Sequence, residues 1–197
     1  MQIFRKTSLF IVLLSVNLAW PVTAELSHAA IQQNDQGLGL GGYSPVSYFQ
    51  RNKAEKGVPA FEAMYEGVRY YLTDVEQLAL FNADPQRYLP AHGGWCSLML
   101  SGSGNLTPAN PESYKIIDDR LLLFWSGDYK GQAISGLSNW HSKTDGKAKK
   151  ETKRLLKANR AWEKIQKGKS EPHLLVFSPQ DDNRLNASQR AAAKKQY

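Results

Sequence analysis

The chain has 197 residues, a formal net charge of +7 and one cysteine. That length suffices for one domain with a real core, and a single cysteine excludes an internal disulfide. Charge is unevenly spread, with residues 25–142 at net −4 and residues 143–197 at net +9.

Arg5 and Lys6 precede a nearly apolar run from Leu9 to Trp20, and Pro21 ends it. Val22-Thr23-Ala24 then offers the small residues a signal peptidase reads. This pattern predicts a signal peptide over 1–24, cleavage before Glu25 and an exported, periplasmic or secreted protein. The run is too short for a spanning helix, which needs about 20 apolar residues, and no later segment is long and apolar enough to span. Residues 25–40 are polar and end in glycines, and are expected to form a flexible leader.

Phe61 to Leu72 predicts a β-hairpin turning at Glu66-Gly67. A helix follows from Val75, with Thr73 or Asp74 as cap, and a capping box through Glu76 if Thr73 serves. Asp84-Pro85 ends it and opens one more turn through Tyr88. His92-Gly93-Gly94-Trp95-Cys96 reads as a tight, flexible corner. Ser97 to Ser101 fits either helix or strand. Ser113 to Ile117 and Leu121 to Trp125 predict a second hairpin around Asp118-Asp119. A weak helix is expected around Tyr129 to Trp140. A strong one is expected over Lys149 to Gln166, with Leu155, Ala158, Trp162 and Ile165 on one face and lysines and arginines over the rest. Beyond Gln166 the chain reads as a basic tail over 167–197, with Leu174-Leu175-Val176-Phe177 as a short added strand and Asn183 to Tyr197 helical or disordered. The fold class is therefore α+β, with small antiparallel hairpins and packed helices.

Several ordered segments resemble the exported bacterial YHS-domain proteins. Gly42-Tyr43-Ser44-Pro45-Val46-Ser47-Tyr48-Phe49 is similar to their opening "GYDPVAYF" segment. Tyr65 to Leu72 resembles their aromatic hairpin. Asp84 to Pro90 with Gly93-Gly94-Trp95-Cys96 resembles "DPxxYxPxxGGxC", and Asn110 to Ile116 with Leu121 to Trp125 resembles the closing hairpin. The resemblance runs from about Gly41 to Ile165 and implies a YHS-like domain over 41–166. It also implies redox or metal chemistry at the corner cysteine. The front-end cysteine of metal-associated members has no counterpart in Tyr43-Ser44-Pro45-Val46. His92 stands where an aromatic residue is usual, and Asp119 where glycine usually makes the turn.

Cys96 and His92 are the candidate site. Thiolate and imidazole suit a soft metal ion such as Cu or Zn, and the glycines between them let both side chains converge. A third ligand would have to come from Met99, His141, His28 or a second molecule. The competing reading makes Cys96 a small buried core residue, with His92 on the surface. Thiol chemistry at Cys96 is a third alternative. It needs a lowered pKa, and no second cysteine is present to resolve a disulfide. Tyr43, Tyr48, Phe49, Tyr65, Tyr70, Tyr71 and Tyr88 line either a ligand pocket or, more commonly, the core of the sheets.

The sequence therefore predicts a periplasmic, non-enzymatic binding module for a soft metal ion or small ligand. A thiol-dependent redox enzyme using Cys96 is one alternative. The other is an interaction module whose basic C-terminal region contacts an anionic membrane or an acidic protein. No nucleic acid is expected as a partner. The basic region by itself reads as a solvated helix face and a soluble tail.

Overall fold

A computed structural model describes residues 31–197. The expected signal peptide, residues 25–30 of the expected leader and His28 lie outside the described residues. The described chain is α+β, as its pattern predicts. Its elements are short and are organised as paired strands bracketed by helices.

The first layer is built around an antiparallel hairpin of β1 (Val58–Tyr65) and β2 (Val68–Leu72). Glu66 and Gly67 both take positive φ, at 48° and 75°, which is the two-residue turn whose twist suits paired strands. Before it lies the short helix α1 (Ser47–Gln50); after it come α2 (Val75–Ala83) and α3 (Pro85–Tyr88). Asp74 caps α2 by accepting from the Gln77 N–H, so Thr73 is not the cap and the expected capping box does not form. Asp84 caps α3 through the Arg87 N–H, with Pro85 in the first turn as expected. Tyr48, Val68, Tyr70, Leu72 and Phe81 form the core between these elements. Tyr48, Tyr70 and Tyr88 are thus core residues, and the Tyr48 hydroxyl donates to Pro111 O at 3.0 Å.

The corner at Gly93 and Gly94, both at positive φ, leads into α4 (Ser97–Gly102). The segment that fitted either helix or strand is therefore helical. The second hairpin pairs β3 (Asn110–Ile117) with β4 (Arg120–Phe124). Asp118 and Asp119 make its turn at φ 50° and 54°, a conformation that short polar side chains tolerate better than most. That is how an aspartate serves where the resembled family uses glycine.

Three expectations need correction. The stretch expected as one weak helix, 129–140, is a hairpin followed by a helix: β5 (Ser126–Tyr129) pairs with β6 (Gln132–Ser135), and α5 (Gly136–Thr144) begins only afterwards. Lys130 and Gly131, both at positive φ, turn the hairpin. Ser135 caps α5 through the Ser138 N–H. Gly136 is required at the junction, because a Cβ there would stand 2.6 Å from Trp125 O.

Residues 31–40 of the expected flexible leader are packed. The Gln32 N–H donates to Gly93 O at 2.8 Å, the Gly39 N–H donates to Arg69 O and the Arg69 N–H to Gly37 O, and Leu38 and Leu40 are buried.

The expected basic tail is integral too. After α6 (Ala148–Gln166), β7 (Leu174–Val176) pairs in parallel with β8 (Ala193–Lys195), with α7 (Pro179–Asp182) and α8 (Ala187–Ala192) between them. Val176 and Leu185 are fully buried. Asp181 anchors the segment: its buried carboxylate accepts from the Trp125 indole N–H, from the Phe177 and Ser178 N–H groups and from Arg184. Such a set satisfies a buried charge that would otherwise be costly.

The α6 helix follows its pattern closely. Leu155, Ala158 and Trp162 are buried and Ile165 is partly so. Glu151, on the same side, is buried, accepts from the Trp140 indole and pairs with Lys115.

Candidate functional site

His92 and Cys96 are both about 1 % exposed, yet they face different surroundings. The His92 ring bridges two helices. The Ser97 hydroxyl at the start of α4 lies 2.9 Å from Nδ1, and the Asn159 carbonyl oxygen on α6 lies 3.0 Å from Nε2. With an acceptor at Nε2, that nitrogen carries the proton and Nδ1 accepts from Ser97. Burial pushes the His92 pKa down to about 4; the Asn159 bond opposes the shift and the Arg120 charge adds slightly to it. The imidazole is therefore a neutral clamp joining the glycine corner to α4 and α6.

Hydroxyl, imidazole and amide follow one another in the order of a nucleophile, a base and an orienting group. Ser97 is fully buried, however, and lines neither of the cavities described below. The three groups tie the glycine corner to α4 and α6.

Cys96 occupies the N-cap position of α4, where its N–H donates to Thr107 O at 3.0 Å. Burial pushes the thiol pKa up, and the N–H groups of Trp125, Met99 and Leu98 only partly oppose it. Desolvation therefore outweighs the helix start, and the lowered pKa that thiol chemistry requires is not produced. A maleimide or disulfide reagent is expected to label Cys96 only on the unfolding timescale. Stoichiometric labelling of the native protein within minutes would contradict its burial.

The soft-metal arrangement also lacks its geometry. Both His92 nitrogens are occupied by protein partners. Among the described residues no three His, Cys, Asp or Glu side chains gather closely enough to hold a metal ion. His141 is exposed on α5. Of Met99 and His141, the two described side chains that could add a third ligand, only Met99 shares a cavity wall with Cys96. Among the described residues, Cys96 and His92 do not gather with a third such side chain into a metal-binding group.

What does surround Cys96 is a cavity of about 210 Å³. Cys96, Leu98 and Met99 form one wall on and before α4. Trp125, Tyr129 and Ile134 from the β5–β6 hairpin and the residue before it, Gly136 and Asn139 from α5, and Phe177 from the segment after β7 complete the lining of this partly open space. The lining is almost wholly apolar, because the Trp125 N–H turns away to Asp181. Phe177 packs edge-on to Tyr129 and tilted against Trp125, with ring centroids 5.4 and 5.2 Å away. A second, wider cleft between the first hairpin and the end of α6 is open and mixed in charge, with Glu66, Asp84, Arg87, Asp119 and Arg120 around it.

The candidate pair thus splits: Cys96 belongs to a cavity and His92 to a clamp. The remaining cavity walls escaped sequence reasoning because Tyr129 and Ile134 sit on the hairpin read as helix, and Phe177 on the segment read as tail. The aromatic flanks of Asp128 to Gly131 and the isolated apolar run at 174–177 were the available signals. Comparison of the chain with protein-family models, curated proteins and solved structures finds no match.

Proposed function

We propose that this protein is a non-enzymatic binding module whose ligand is a small apolar molecule held beside Cys96. The observation that carries the reading is the cavity. A space of about 210 Å³ with apolar walls is of the size that takes a single aromatic ring or a short aliphatic chain, since an engineered apolar cavity of about 150 Å³ binds benzene. The walls offer almost no polar surface, which favours an apolar ligand held by shape and burial alone. A redox enzyme is disfavoured by the raised thiol pKa, and a metal carrier by the engaged imidazole.

Export to the periplasm and membership of the YHS-type proteins belong to the same proposal. They rest on the Arg5-Lys6, Leu9–Trp20 and Val22-Thr23-Ala24 pattern and on the ordered motifs from Gly42 to Trp125.

Titration with toluene, indole and short-chain alcohols tests the reading. Calorimetric titration should show saturable uptake, and the melting temperature should rise with ligand, as binding to the native state alone requires. Ile134→Trp, which fills the cavity, should abolish the response while leaving the circular dichroism spectrum native. Absence of saturable binding, or binding unchanged in a folded Ile134→Trp protein, would overturn the proposal.

A further inference from the structure

The buried side of α6 is accounted for by Leu155, Ala158 and Trp162. Its opposite side carries Lys149, Lys153, Lys157, Arg160 and Lys164, all exposed. At about 100° per residue these five fall within a stripe narrower than a third of the helix circumference and about 22 Å long. Leu156, 49 % exposed, lies beside them on the same stripe. Several other cations of this region have partners: Lys147 and Lys150 pair with Asp145, Lys167 with Glu163, and Arg154 donates to Ser101 and covers Trp140. The five stripe cations form no ion pair or hydrogen bond among the described residues.

The pattern works against the helix that carries it. Lys149–Lys153, Lys153–Lys157 and Arg160–Lys164 are like charges four residues apart, and Lys157–Arg160 are three apart. Such pairs destabilise a helix. Lys149 also stands in the first turn, where the helix dipole disfavours cations. The one acid in the first turn, Glu151, is turned inward to Lys115 and Trp140. An arrangement unfavourable in the free protein becomes favourable when a dense negative surface lies against it.

We propose that this stripe is a docking face for an anionic phospholipid surface. Charge complementarity selects a negative partner, and the side chains select the kind. Protein interfaces deplete lysine at their centres and need an apolar core, and the stripe offers mostly lysine and a single leucine. Headgroups of a bilayer accept a straight row of mobile cations without a fitted pocket. Because the apolar face of α6 is already committed to the protein core, docking is peripheral, by charge with Leu156 as a shallow contact. The proposal is independent of the cavity, and either can fail alone.

Sedimentation with vesicles of phosphatidylglycerol and phosphatidylcholine tests it, with the full chain carrying the same N terminus in every variant. Binding to phosphatidylglycerol vesicles should exceed that to pure phosphatidylcholine and fall steeply as salt is raised from about 50 to about 500 mM. Each stripe cation should contribute roughly fivefold, so Lys153→Gln, Lys157→Gln and Arg160→Gln together should weaken binding about a hundredfold. The variant's melting temperature should not fall, since repulsion is relieved. An equal charge change elsewhere, Lys53→Gln with Lys56→Gln and Lys130→Gln, should weaken binding far less. Equal loss in both variants would reduce the effect to net charge and overturn the proposal. Binding that survives removal of the stripe, or binding to polyglutamate without binding to vesicles, would overturn it as well.

Discussion

Replacing Trp162 with alanine is expected to cost about 3–5 kcal/mol of folding stability, the range for deleting a large aromatic from a core. Trp162 is 7 % exposed and belongs to the cluster of Trp95, Leu100, Leu106, Ala158, Leu174, Val176 and Leu185. That cluster draws on α4, α6, β7 and the segment between α7 and α8, so the side chain joins the long basic helix to both the glycine corner and the C-terminal segment. The cavity left by alanine would be shared by elements that also hold one another by backbone bonds, such as Leu106 N–H to His173 O and Leu175 N–H to Leu106 O. Collapse around it is therefore limited, which favours the upper part of the range. Urea unfolding of wild type and Trp162→Ala gives the number. A loss below about 1 kcal/mol would mean that α6 contributes little to the core. It would also remove the reason its opposite face must remain in solvent.

The Trp162 position also shows what the sequence made legible. Long or strongly signalled elements were readable: the apolar spacing of Leu155, Ala158 and Trp162 announced α6, and the Glu66-Gly67 pair announced the first hairpin. These signals are local, because helix periodicity and turn chemistry lie within a few residues of each other. The β5–β6 hairpin was not readable. Its strands are four residues each, too short for alternation to outweigh a helical reading of the following Leu137 and Trp140. Residues 31–40 and 167–197 look polar because they contribute few apolar side chains each. They are held instead by long-range bonds, such as Gln32 to Gly93 and Asp181 to Trp125, which no local pattern encodes. The site suffered most from this. Cys96 stands out in the sequence as its one cysteine, but three of its cavity neighbours, Tyr129, Ile134 and Phe177, come from segments whose local pattern does not announce them. The burial of His92 is not legible locally, because one of its two partners, Asn159, lies 67 residues away.

Acidification is expected to destabilise the protein well above the pH at which carboxylates protonate, and His92 is the cause. In an unfolded chain a histidine takes up its proton near pH 6.5; folded, with burial as the dominant influence, His92 does so only at about 4. Between these values the unfolded chain binds more protons than the native one, so stability increases with pH and is lost as pH falls through 6.5 toward 4. Near pH 7 the native protein has this contribution in full. By pH 5 the loss is about 2 kcal/mol, and by pH 4 about 3 kcal/mol. Asp74 and Asp182, whose carboxyls hydrogen bonds hold below the usual range, add their own losses only nearer pH 4. The interval from 7 to 5 therefore isolates the imidazole. Protonation would also place two donors on the ring, forcing the Ser97 hydroxyl to reverse and stranding a charge between α4 and α6. Urea midpoints measured at pH 7, 6 and 5 should fall for the wild type and stay nearly level for His92→Gln, whose side chain cannot titrate. The His92→Gln protein starts from a lower stability, so the comparison rests on the slope with pH and not on the absolute value. A wild-type slope no steeper than that of His92→Gln would mean that the imidazole titrates alike in both states, and that burial between α4 and α6 does not hold it neutral.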